Sequence, residues 1–142
     1  MARFFLDTNV FLYAIGGEGP HRTACRALLA AVGDGELDGV TSSEVLQEIL
    51  HVRSRRLGWS DATATVRAAA ALVADVLPVS HYDVLAACDL IDRHPNLGAR
   101  DSLHVAVMRS ADIDTIISMD ADFDAVPNLR RIHPDEVRPT RP

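Results

Sequence analysis

The chain has 142 residues, 48% of them hydrophobic and 24% charged, which suits one domain with its own core and excludes fibrous and wholly disordered classes. Its formal net charge is −6 and all fourteen basic residues are arginine, which argues against a basic nucleic-acid surface, although bound metal ions can still carry positive charge to a site. The longest uninterrupted apolar run, 68–74, falls far short of the ~20 residues that cross a membrane, the N-terminus lacks the apolar stretch of a secretory leader, and Cys25 and Cys88 make no disulfide framework, so a cytoplasmic protein with two buried thiols is expected.

In chain order, Arg3-Phe4-Phe5-Leu6 is a short apolar run broken off by Asp7-Thr8-Asn9, the pattern of a buried strand leaving its sheet. Helical spacing follows through Val10, Tyr13 and Ala14 to the break at Gly16-Gly17. A second helix is predicted over 21–32 on the stripe Cys25, Leu28, Leu29 and Val32, closed by Gly33-Asp34-Gly35. Leu37 to Val40 reads as a brief strand. Thr41-Ser42-Ser43-Glu44 has capping-box spacing and opens a helix to about Arg55 with Val45, Leu46, Ile49, Leu50 and Val52 inward. An Ala-rich helix is expected from Ser60 to Val76, a strand at Leu77-Pro78-Val79, and a helix from Tyr82 to His94 on Val84, Leu85, Cys88 and Ile91. After the break at Pro95 and Gly98, a helix over 101–109, an apolar strand over 115–118 and a last strand over 128–132 complete the chain. Pro134, Pro139 and Pro142 mark a loose tail. Strands alternating with helices predict an α/β protein with a mainly parallel sheet.

The acids need explaining, since fifteen of the twenty are aspartate. Ligands of open α/β sheets bind beyond the carboxyl ends of the strands. The two most apolar strands here both run into acid there, one into Asp7 and the other into Asp120 with Asp122 just after. Each of the three also suits a helix N-cap, a purely structural role. Glu44 is accounted for by the capping box, whereas Glu48, one turn on, borders the buried stripe and is either solvent-tipped or directed into a polar site. Asp101 opens its helix, where an anion is stabilised by the helix end. His104, three residues on, is expected in a structural role, because imidazole is a poor ligand for hard, oxygen-preferring cations.

Leu6-Asp7-Thr8-Asn9-Val10, Val45-Leu46-Gln47-Glu48-Ile49, Arg100-Asp101-Ser102-Leu103-His104-Val105-Ala106 and Ser118-Met119-Asp120-Ala121-Asp122-Phe123 resemble, in that order, the four acidic motifs of the PIN-domain family. Order, spacing and length look most like its VapC-type toxins. Ser102 stands where the family often has Ala, and Ser118 replaces a common Thr while keeping the hydroxyl. The resemblance implies a three-layer α/β/α domain over 1–133 followed by the proline-rich tail 134–142. It implies an endoribonuclease that depends on Mg²⁺ or Mn²⁺ and acts as the toxin of a type II toxin–antitoxin pair. Its partners are then an RNA substrate, a small cognate antitoxin and a second copy of the chain, with no membrane.

Asp7, Glu48, Asp101 and Asp120 are the expected metal and catalytic set, with Asp122 supporting. Gathered carboxylates raise one another's pKa, and a divalent cation with oxygen ligands relieves this. Thr8 and Ser118 are expected to orient a carboxylate or a water, and Arg100 is a candidate phosphate contact. Hydrolysis by a metal-activated water leaves a 5′-phosphate, and no pair of catalytic histidines suggests a cyclic-phosphate route instead. Two other readings are a non-catalytic PIN-like binding subunit and a housekeeping RNA-processing nuclease. A phosphatase with an aspartyl nucleophile after the first strand wants a second Asp where Asn9 stands.

Overall fold

The computed structural model describes residues 2–137. Five strands form one sheet: β1 (Phe4–Leu6), β2 (Gly39–Ser42), β3 (Val76–Leu77), β4 (Thr115–Ile117) and β5 (Arg130–Ile132), in the order β3-β2-β1-β4-β5. All four pairings are parallel, with Phe5 opposite Val40 on one side and Ile116 on the other. Strands covered on both faces have no polar side to show, and Phe4, Phe5, Leu6, Val40, Ile116 and Ile117 are all fully buried.

The six helices are α1 (Thr8–Ile15), α2 (Arg22–Gly33), α3 (Ser43–Leu57), α4 (Trp59–Leu72), α5 (His81–Arg93) and α6 (Ala99–Ser110). The strand order moves outward from β1 to β3, then reverses and crosses to β4. Right-handed crossovers therefore put α1 to α4 on one face of the sheet and α5 and α6 on the other, giving a three-layer α/β/α domain. Among the described residues, no helix is long and apolar enough to cross a membrane.

Several local readings need correcting. The cap of α3 is Ser42, whose hydroxyl accepts the Val45 N–H at 3.2 Å, while Thr41 turns its hydroxyl to the Leu6 carbonyl at 3.0 Å. This shift puts Val45, not Glu44, at the third helical position, so no capping box occupies Glu44. The strand expected from Leu37 begins instead at Gly39. A Cβ on Gly39 would stand 2.7 Å from a methyl of Val32, so only glycine lets β2 lie this close under α2. The Ala-rich helix stops at Leu72 rather than Val76, because the Ala74 N–H turns to the Gly39 carbonyl and Val76 joins the sheet. Pro78, with no N–H, ends that strand.

The apolar stripe expected on α5 is turned out of the core. Val84 and Leu85 are exposed and Asp83, Ala87 and Leu90 face inward. The cause is polar: Asp83 closes a capping box with Ser80, taking its N–H at 2.9 Å, and accepts the Ser110 hydroxyl from the end of α6 at 2.7 Å. That anchor fixes the rotation of the helix and leaves Cys88 exposed, against expectation, while Cys25 is buried. At the C-terminus, Pro134–Glu136 forms a 3-10 turn with Pro134 and Val137 buried. The rest of the proline-rich segment, 138–142, lies outside the described residues.

Asp83→Ala removes the reciprocal half of the capping box and the tie to α6. It should lower unfolding stability by about 2–3 kcal/mol, read as a reduced urea midpoint, whereas Ser80→Ala should cost about 1 kcal/mol.

Candidate active site

Strand order reverses at β1, so the chain leaves β1 and β4 in opposite directions and opens a crevice beyond their carboxyl ends. Asp7 follows β1 directly, its N–H still in the ladder to the Ile117 carbonyl at 3.1 Å. Its side chain is 7% exposed and held on both oxygens. One oxygen accepts the Thr8 N–H at 2.8 Å, capping α1. The other accepts the Ser118 hydroxyl at 2.6 Å and the Asn9 amide at 3.2 Å. The helix-cap role and the place at the sheet edge are thus filled by the same carboxylate.

Glu48 comes from the second turn of α3, where the Ser42 cap and the buried pair Val45 and Ile49 set the helix's rotation. It is half-buried and turned toward β1. One of its oxygens accepts the Thr8 hydroxyl at 2.6 Å, and the other lies 3.3 Å from the Arg100 guanidinium, which also stands 3.8 Å from Glu44. Arg100 is about half exposed and pairs with these two carboxylates.

Asp101 sits in the first turn of α6 and is half-buried. Burial, then the charge of Asp7, then a hydrogen bond shared with Asp120, push its carboxyl up to about 7. Asp120 follows β4. Its N–H donates to the Ser118 hydroxyl at 3.0 Å, and its carboxylate accepts the Asp122 N–H at 2.9 Å, capping a 3-10 turn over Ala121–Ala125. Asp7, Glu48, Asp101 and Asp120 therefore converge on one crevice. Asp122 serves it through its backbone, while its exposed side chain lines a separate hollow with Arg93, His94 and Asn96.

His104 was assigned a structural role and lies in the middle of the acids. It is 1% exposed, with Nε2 3.7 Å from Asp7 and 3.9 Å from Glu48, and its ring centre is 5.5 Å from that of Phe5. Burial holds its pKa below the ordinary value, although Asp7 and Glu48 pull the other way. Its Nδ1 is buried without a hydrogen-bond partner. The available signal was its spacing: three residues from Asp101, it shares that residue's helix face. Asn9 was likewise passed over, though it ties Asp7 to Ser118 at 3.2 and 3.4 Å.

The donor set fits a hard divalent cation. Ligand atoms of Asp7, Asp101 and His104 lie within 4.8 Å of one another, and burial also raises the Asp7 carboxyl. Carboxylates that must take up protons when crowded together are those that a cation allows to ionise. Asp7 and Asp101, whose ligand atoms meet with that of His104, could hold a divalent cation here.

The PIN domain family model matches residues 4–129, and the chain belongs to that family. It is 36% identical over 130 residues to ribonuclease VapC13 of Mycobacterium tuberculosis, covering 89% of this chain and 97% of that one. To ribonuclease VapC7 of the same organism it is 35% identical over 131 residues, covering 92% and 90%. Among solved structures, the M. tuberculosis sarcin–ricin loop cleaving toxin VapC20 superposes with a TM-score of 0.72 at 24% identity over 86% of this chain and 93% of that one. VapBC2 of Rickettsia felis, bound to promoter DNA, gives 0.73 at 18% over 93% and 98%.

Without metal, Asp101 binds a proton in the folded protein that the unfolded chain has released, between pH 4 and about 7. Its contribution is fully present below pH 4 and lost as pH rises through 7. In EDTA, the wild-type chain should therefore lose more Tm than Asp101→Asn between pH 5 and 8. The comparison cancels the opposite contribution of His104, which both proteins share.

Proposed function

We propose that this chain is a metal-dependent endoribonuclease that hydrolyses RNA phosphodiesters and is the toxin of a type II toxin–antitoxin pair. The observation that carries the reading is the convergence of Asp7, Glu48, Asp101 and Asp120 on the crevice at the sheet's reversal point. Support for the substrate and the partner comes from relatives named as VapC ribonucleases and from similar folds solved as VapBC complexes.

A divalent cation in this pocket supplies water of lowered pKa and offsets charge developing on the phosphate. The protein's own work is positional. Asp7 is fixed on both oxygens before any substrate arrives, and the Thr8 hydroxyl fixes Glu48, so two of the ligands need little reorganisation. Asp101, whose carboxyl is pushed up to about 7 by burial and then by the charge of Asp7, would give up its proton to a cation held beside it. Arg100, half exposed at the rim, is positioned to exchange part of its pairing with Glu48 for a phosphate oxygen. His104, held neutral by burial, adds no competing positive charge.

An apolar cleft between α1, α2 and α4, lined by Phe11, Ile15, Leu29, Ala68 and Leu72 and about 330 Å³ in volume, suits an apolar segment of a small protein partner better than RNA. A homodimer belongs to the same reading.

Purified protein should cleave structured RNA with Mg²⁺ or Mn²⁺ and stop in excess EDTA, leaving 5′-phosphate ends. Asp7→Asn should reduce cleavage by at least about 10³-fold, a loss of the size expected when a principal electrostatic group is removed, with an unchanged circular dichroism spectrum. Full-rate cleavage in EDTA removes the mechanism, and failure to cleave any RNA with any metal favours a binding subunit. Expression alone should arrest growth, and co-expression of the adjacent small gene should relieve the arrest. Growth unaffected by expression of an active enzyme points to a housekeeping nuclease instead.

A further inference from the structure

We propose that His21, His133 and Asp135 form a second metal site, outside the acidic crevice, that takes a transition-metal ion of the zinc class and fastens the turn at Pro134–Glu136 to the start of α2. His21 caps α2 by position but makes no capping hydrogen bond with its side chain. His133 and Asp135 flank Pro134 in the turn after β5, the edge strand beyond β4.

One ligand atom from each residue lies within 4.8 Å of the others. Nδ1 of His21 is 3.3 Å from Asp135 Oδ2, and Nδ1 of His133 is 3.6 Å from the same oxygen. Ligand atoms around a tetrahedral ion with bonds of about 2.0–2.1 Å stand about 3.3 Å apart, so both imidazole–carboxylate spacings are already close to those of a filled site. The two imidazoles meet edge to face with centres 5.1 Å apart, and the Tyr13 ring braces His21 from α1 at 5.7 Å.

The hydrogen bonding leaves room for an ion. His21 Nδ1 is buried and makes no hydrogen bond, despite the nearby carboxylate. His133 Nδ1 accepts the Asp135 N–H at 3.1 Å, a contact that an ion on this nitrogen would replace. Cys25, one turn beyond His21, is not among the residues whose ligand atoms meet here. The donors are therefore two imidazoles and a carboxylate, with a fourth position for water. This set favours Zn²⁺, Ni²⁺ or Co²⁺ and disfavours Mg²⁺, the reverse of the acidic crevice.

The test uses the full chain carrying Asp7→Asn and Asp101→Asn, which disables the crevice. After EDTA treatment and dialysis against Zn²⁺, this protein should retain one equivalent of zinc. With free zinc about a hundredfold above its Kd, Tm should rise by roughly 5–10 °C, while Mg²⁺ produces neither effect. Adding His21→Gln should abolish both the bound equivalent and the Tm gain. Should that variant not fold, Co²⁺ added to the parent protein decides the matter through the intense visible bands of a four-coordinate ion. No retained zinc, zinc retained equally by His21→Gln, or only the faint bands of six-coordinate cobalt overturns the site.

Discussion

The structure depends on holding several carboxylates together against their mutual repulsion and the cost of burying them. Like charges a few ångströms apart, partly removed from water, stay ionised only with compensation. Two different solutions occur side by side. Asp7 is partly compensated by donors, the first N–H of α1, the Ser118 hydroxyl and the Asn9 amide, although burial still holds its carboxyl above the usual range. Asp101 is instead left with its carboxyl pushed up to about 7 by burial, the charge of Asp7 and a hydrogen bond with Asp120.

The sheet makes this possible without long loops. β1 and β4 are three residues each, yet both are central, and their register sets Leu6 opposite Ile117. The next residues, Asp7 and Ser118, then meet at 2.6 Å. Glu48 arrives from the opposite direction, on a helix whose rotation is fixed by the buried pair Val45 and Ile49 and by the Ser42 cap.

Much of this was legible in the residues. Apolar runs ending in acid marked β1 and β4, because a strand buried on both faces leaves the core at its polar neighbour. Glu48 stood out because the buried stripe ran beside it. What was not legible depended on partners far along the chain. No local pattern says that Ser42 rather than Thr41 caps α3, since the choice is made by the Leu6 carbonyl, which takes the Thr41 hydroxyl. The face of α5 was misread for the same kind of reason, because Ser110 on α6 decides where Asp83 points. His104 reads as structural because a His–carboxylate pair on a helix face is common and imidazole is a poor ligand for hard cations, and only the fold reveals that Asp7 and Glu48 lie beside it.

Three helices begin at the crevice: α1 immediately after Asp7, α6 with Asp101 in its first turn, and α3 with Glu44 in its first turn and Glu48 in its second. Each helix presents its unsatisfied amides and roughly half a positive elementary charge at that end. The peptide backbone is thus the first counter-ion of the pocket, and it is a permanent one. A protein with an acidic surface can in this way keep a concentrated patch of negative charge folded during the intervals when no mobile ion screens it.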